Sequence, residues 1–476
     1  MTFVKSILLG SAAGLVAVAA AQAADLPTRK SAPAEYVKVC NVGGMAGFVL
    51  PGSDTCFKIS GSVVAQVSGG NLNKGYTWVN ATGAALSATA PSSSWGVTNG
   101  APIRTRPDFG MGVRGTVQFD ARQDTAFGVL RGFIETQFND GSGYQGGGPG
   151  AGVLINYAYL QWAGLTLGKA NSFFSFYGGG EDWDNLISPD QQGYNQPVLF
   201  AYTATFGGGF SATIAAQNPI AAAGVAGGTQ YVSPLNATLN GARAPDFVVN
   251  VRIDQAWGAA QLSGVAHNVY ASSAATNPAS TQNVWGWGVN GGVKFNLPSF
   301  GSGDNIQFQA TWTRNAAWFS GLPDAFGGEA QGIVGSTATG AGLGPNGNGL
   351  GPVFLDTWNN GDGTWATPTA WSVSGLMEHH FSPTVWLGPE FAYGEQHWSG
   401  LSPMSGIPVN TQAWEAGATL HWDPVPHLDF SFEMLYEAIH QSTPVNGGTA
   451  VAPISATHFP NDADGFEGRI LVTRDF

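Results

Sequence analysis

The charged residues whose grouping could do chemistry fall into two sets. Glu181, Asp182 and Asp184 stand together, just after the aromatics Phe173, Phe174, Phe176 and Tyr177 and the glycines at 178–180. Arg114, Arg131, Arg252 and Lys294 each lie on the polar side of an alternating segment. Opposed charges across a narrow aqueous passage create a strong local field that selects solutes by charge and dipole. The expectation is that the aromatics anchor a loop to a wall and the glycines let it bend. The three acids then face the four bases. In the alternative arrangement the acids sit on a solvated external loop and the bases pair locally with Glu135 or Asp254. Lys58 and Arg469 are further candidates for the lumen, nearer an end.

Other motifs fail on context. Gly342, Gly344 and Gly347 satisfy a G-x-G-x-x-G spacing, but a dinucleotide site needs a strand before it and a helix after it. Here the motif lies in a stretch rich in Gly and Pro. There is no G-x-S-x-G and no H-E-x-x-H. His379 and His380 are adjacent, so in a strand they point to opposite faces and do not chelate one metal together. The expectation is therefore that the chain is not an enzyme and takes no cofactor and no metal.

The elements that must hold these charges repeat with period two, as strands do. Phe109, Met111, Val113, Val117 and Phe119 share one parity, against Arg114, Thr116, Gln118 and Asp120. Leu130, Ile134 and Phe138 oppose Arg131, Glu135 and Gln137. Trp285, Trp287, Val289, Val293, Phe295 and Leu297 oppose Asn290, Lys294 and Asn296. Ile306, Phe308, Ala310 and Trp312 oppose Gln307, Gln309, Thr311 and Thr313. Seven short turns rich in Gly, Pro and Asp fall at 121–126, 163–164, 207–209, 256–257, 298–304, 382–384 and 423–427. Eight longer polar stretches alternate with them, at 68–108, 139–152, 171–197, 218–245, 269–283, 315–368, 397–410 and 441–465. Fifteen connections imply sixteen strands. In hydrocarbon an open edge leaves backbone amides unpaired, so such a sheet must close into an all-β, antiparallel transmembrane barrel. Sixteen strands are wide enough to leave a water-filled interior. Lys169 breaks the pattern, sharing parity with the apolar Leu165 and Leu167. An early strand end or a bulge would account for it.

Composition and address agree. Only 10% of residues are charged, 12% are aromatic and 69 are glycine, with a net charge of −13. An acidic chain argues against nucleic acid as a partner. Lys5, the apolar run at 7–20 and Ala21-Gln22-Ala23 read as a secretory signal peptide at 1–23. The mature chain, 24–476, is then a lead-in at 24–56 followed by barrel strands and loops at 57–476. Cys40 and Cys56 are the two cysteines. An exported compartment permits a bridge between them, with two free thiols as the alternative. Trp and Tyr near strand ends are expected to form interfacial girdles, and Trp183 is a candidate for stacking a sugar in the pore.

The chain also resembles the alphaproteobacterial porins. The matching pieces are Ala24-Asp25-Leu26-Pro27, the run from Glu35 to Cys40, the run from Pro51 to Ile59, and the run from Ser172 to Tyr177. Asp254-Gln255-Ala256-Trp257-Gly258, the run from Gly292 to Pro298, Ala370-Trp371-Ser372-Val373, Leu428-Asp429-Phe430, the run from Glu433 to Glu437 and Gly468-Arg469-Ile470 continue the match. The resemblance implies a general-diffusion porin of the bacterial outer membrane. It implies a homotrimer with one pore per subunit and a third loop folded into the lumen, passing small hydrophilic solutes and ions. A terminal aromatic, here Phe476, resembles the signal read by the outer-membrane insertion machinery. Val64 and Leu471 stand where such porins usually carry charge. The other reading is a substrate-specific channel with a binding site in the same barrel.

Overall fold

The computed structural model describes residues 38–70, 76–79, 101–104, 109–141, 152–176, 196–219, 238–239, 242–273, 280–322, 356–360, 363–400, 410–441 and 462–476. The stretch 1–23, expected to be a signal peptide, lies outside these residues, as do Glu181, Asp182, Trp183 and Asp184.

Sixteen strands form the wall. They are β1 Cys56–Gly70, β2 Phe109–Thr125, β3 Gly128–Gly141, β4 Gly152–Trp162, β5 Leu165–Lys169, β6 Val198–Gly207, β7 Phe210–Gln217 and β8 Asp246–Gln255. β9 Gly258–Ser273, β10 Ser280–Asn296, β11 Asn305–Arg314, β12 Trp365–Ser382, β13 Val385–Ser399, β14 Thr411–Val425, β15 Leu428–Gln441 and β16 Asp462–Asp475 follow. Each pairs antiparallel with its successor. β16 then returns to β1, from Glu467 opposite Gly70 to Asp475 opposite Ser62. The sheet is a closed cylinder, which removes the edge that lipid would not tolerate. Phe476 finishes the seam: its amide donates to Gly61 O at 2.9 Å and its carbonyl accepts from Gly61 N at 3.0 Å. A Cβ on Gly61 would meet Thr116 O at 2.1 Å, so this close approach needs glycine.

Side chains alternate as expected. Phe109, Met111, Ile134, Phe200, Val251, Trp287, Phe308, Phe391, Trp414, Phe432 and Ile470 are exposed on the outer wall, while Thr116, Gln261, Asn290, Gln307, Gln309 and Thr311 are buried on the inner one. Outside, the apolar surface suits hydrocarbon, and inside, the polar rows suit water. Seven short turns join the strands, but β2 runs on to Thr125 and β14 to Val425, so the reversals expected at 121–126 and 423–427 are the two-residue turns 126–127 and 426–427. The fifth long connection is shorter than expected, because β9 and β10 pair as far as Ser273 opposite Ser280.

A hairpin of Val39–Val42 and Met45–Val49 precedes the barrel and pairs onto β1 through Val49 opposite Cys56. The disulfide Cys40–Cys56, with 5.8 Å between Cα atoms, fastens it. Closing a loop of this length stabilises by roughly 3 kcal/mol on the chain-entropy account.

Lys169 stays on the outer wall, opposite Ala158 and Val198. The bulge is real but lies on β4, where register slips between Glu135 and Thr136 and Asn156 is the extra residue. Asn156 turns inward and donates to Glu135 Oε1 at 2.7 Å. Lys169 Nζ donates to Ile155 O, beside the bulge, at 2.6 Å.

Candidate functional site

The root of the third long connection runs along the inside of the wall. Phe174 O accepts from Asn290 Nδ2 at 3.2 Å and from Gln261 Nε2 at 3.3 Å. Ser172 Oγ donates to Gln217 Oε1 at 2.8 Å, and Phe176 N donates to Gln309 Oε1 at 3.3 Å. These acceptors and donors come from inward positions of β7, β9, β10 and β11, so the sequence's polar parity builds the cradle. A Cβ on Gly292 would fall 2.2 Å from the Phe176 ring, so β10 is bare where the ring lies. Phe174 and Phe176 thus anchor the loop as their types suggest; Tyr177 lies outside the described residues.

Beside this root is a lumenal cavity of about 400 Å³. Arg252 and Lys294 both line it, with Tyr157, Tyr159, Gln161 and Asn250 among its other walls. Arg252 bridges loop and wall: Nη1 donates to Phe176 O at 3.1 Å, and the guanidinium lies 5.1 Å from the Phe176 ring centroid. It also forms an ion pair with Asp254, at 3.0 Å. Arg131 touches two of the lining residues, donating to Gln161 Oε1 at 3.2 Å and lying 5.4 Å from the Tyr159 ring centroid. Its carboxylate partner is Asp120, at 2.8 Å, and not Glu135. Arg122, which the sequence reading passed over, joins the same Asp120 at 2.9 Å. Arg114 is separate from the cavity lining and donates to Asn139 Oδ1 at 2.8 Å. The structure therefore gathers Arg252 and Lys294 around one space, with Arg131 behind its wall, in contact with the lining residues Gln161 and Tyr159.

The inner wall also holds an acidic group that parity could have revealed. Glu390, Glu415, Glu433, Glu437 and Glu467 face inward from β13 to β16, each at most 7% exposed. Glu415 lies opposite Glu437, and Glu433 opposite Arg469. Arg469 Nε donates to Glu467 Oε1 at 3.4 Å. Leu471 is fully buried opposite Gln66. A covered carboxylate acts on a passage through its field and not by touching the solute.

His379 and His380 do occupy opposite faces, but both imidazoles reach one carboxylate. Asp304, in the turn between β10 and β11, lies 2.6 Å from His379 Nδ1 and 3.3 Å from His380 Nδ1, and it accepts the His380 amide at 2.8 Å. Burial pulls the Asp304 carboxyl up, but the His380 amide and the two imidazoles more than offset it, leaving its pKa below the ordinary 3.8. No set of side chains with the geometry of a metal site occurs among the described residues.

A closed barrel with an apolar exterior and a polar interior, along which residues 170–176 run inside the wall, defines a membrane-spanning channel. The family profile described as the porin subfamily matches residues 25–464, and the chain belongs to that family. Porin Omp2b of Brucella neotomae is 30% identical over 330 residues, which is 61% of this chain and 80% of that protein. Porin Omp2b of Brucella abortus (strain 2308) matches to the same extent. Among solved structures, the outer membrane channel DcaP of Acinetobacter baumannii aligns over 91% of this chain and all of its own, with a TM-score of 0.54 and 14% identity. That likeness bears on the fold alone. The protein is an outer-membrane porin, a water-filled channel for passive diffusion.

Proposed function

We propose that the channel passes small hydrophilic solutes and ions under a transverse field set at the root of the third connection. In this reading Glu181, Asp182 and Asp184 face Arg131, Arg252 and Lys294 across the passage, and Arg114 adds to the field further along β2. The observation that carries it is the inward course of 170–176, ending at Phe176 in the grip of Arg252 and Gln309. The acids follow within a few residues of that point. Opposed charges in a low-dielectric passage act far more strongly than in bulk water. Ion selectivity of Asp182→Asn and Arg131→Gln, read as reversal potentials in a salt gradient, tests the reading. Shifts of opposite sign are expected, and unchanged potentials in both contradict it.

The working unit in this reading is a homotrimer in the outer membrane. Its signal peptide, 1–23, is removed on export, and Phe476 is the mark read by the insertion machinery. Support comes from the family and from the terminal aromatic at the closing seam. Crosslinking of the native membrane protein, read as a threefold mass, tests the trimer.

A further inference from the structure

The inner wall of β6 to β9 carries a row of residues that water should not favour. Ala201 lies opposite Ala215, Ala215 opposite Val248, and Val248 opposite Val265. All four are at most 5% exposed, and Leu199 above them is fully buried. An apolar stripe on the wet face of a barrel requires a cover. Two elements supply it. One is Phe174 from the third connection, and the other is Phe319 from a 3₁₀ turn, Ala317–Ser320, at the start of the sixth. Both rings are fully buried and meet edge to face at 5.1 Å.

The two described ends of the sixth connection, 315–322 and 356–360, are tied to each other and to the inner wall. Asp356, near its far end, accepts Ala317 N on Oδ1 at 2.6 Å, while its carbonyl accepts from Asn315 Nδ2 at 2.9 Å. The other carboxylate oxygen of Asp356 is 3.4 Å from His267 Nε2. His267, on β9, is fully buried, and its Nδ1 is 2.7 Å from Asp246 on β8. Beyond the turn, Ser372 of β12 donates to Ser320 O, and Leu322 packs where β13 has Gly394. The root thus crosses the inner face from β11 to β13.

We infer that residues 315–322, at the root of the sixth connection, form a second constriction element, positioned by the Asp246–His267–Asp356 latch and coupled to the root of the third connection through Phe174 and Phe319. Buried charges are costly to desolvate, and mutual pairing offsets that cost only in a tightly defined geometry, which this carboxylate–imidazole–carboxylate chain supplies. Here it ties Asp356 and, through it, Ala317 to the inner face of β8 and β9. His267 and Asp356 are positioning residues and need not meet solute.

The inference rests on the porin reading, and single-channel recording in planar bilayers separates the two. Absence of any current through the wild-type protein would overturn the porin reading. Given wild-type current, Asp356→Asn and Phe319→Ala are each expected to raise unitary conductance by roughly 1.5-fold, since conductance follows the open cross-section. Phe319→Leu, which keeps an apolar cover, is expected to stay near wild type. Phe174→Ala with Phe319→Ala is expected to change conductance by less than the product of the single changes, because both remove one contact. The heat-resistant migration of the folded barrel identifies variants that have assembled, and Asp356→Glu serves if Asp356→Asn does not. Unchanged conductance in assembled Asp356→Asn and Phe319→Ala, or changes that simply multiply, overturns the inference.

Discussion

Arg122 and Arg131 lie directly opposite each other on neighbouring strands, and both guanidiniums donate to the same carboxylate, that of Asp120. Like charges facing across a ladder repel. The arrangement holds because Asp120 sits between them, with its own side chain about 10% exposed. Asp120→Asn is expected to leave two unneutralised cations on the inner wall. Reversal potentials in a salt gradient should move toward anion preference, and stability should fall by roughly 2–4 kcal/mol in denaturant unfolding. An unmoved reversal potential would show that these arginines do not reach the passage.

Gly292→Ala is expected to displace Phe176, because the added methyl falls on its ring. Overpacking of this kind costs roughly 1–3 kcal/mol. The root of the third connection should shift with the ring, changing unitary conductance while the barrel still assembles. Gly115→Ala, where a Cβ meets nothing within 4 Å, is the control and should conduct as wild type does.

Replacing both cysteines, Cys40→Ser with Cys56→Ser, should lower stability by roughly 3 kcal/mol. Conductance should not change, because the hairpin they fasten lies at the short-turn end of β1, away from the third connection. Denaturant midpoints with and without reductant provide the check. A wild-type midpoint insensitive to reductant would argue against the bridge.

The alternation was legible because every strand has one face in lipid and one toward water, and a period of two leaves its mark in Phe109 to Asp120 and Ile306 to Thr313 alike. The turns were legible because tight reversal demands particular residues. Irregular backbone leaves no such period. The extra residue Asn156 is invisible until the pairing of β3 with β4 is seen, and Lys169 then finds its acceptor beside it. The inward root of the sixth connection was missed for the same reason. Its signal was indirect: Ala201, Ala215, Val248 and Val265 are apolar where parity calls for polar residues. Glu415, Glu433, Glu437 and Glu467 were open to the same parity count that gave Arg131 and Lys294.

Asp304 gives a pH prediction outside the membrane-spanning strands. Its folded pKa lies below the ordinary 3.8. A carboxyl depressed on folding contributes stability that is fully present above its unfolded pKa and is lost as pH falls through its folded value. Stability measured from pH 6 downward should therefore decline below about pH 4, and Asp304→Asn should make that decline shallower. An acid limb unaltered by the substitution would contradict the role given to the His379 and His380 contacts.

Conductance of the purified, refolded protein in planar bilayers, with permeation of neutral sugars into vesicles measured alongside, is the most direct test of a hollow sixteen-stranded barrel. Discrete current steps that scale with salt concentration are predicted, together with sugar entry that slows with molecular size and does not saturate. No current would contradict the open interior, and saturable entry confined to one solute class would contradict passive diffusion in favour of a substrate-specific channel.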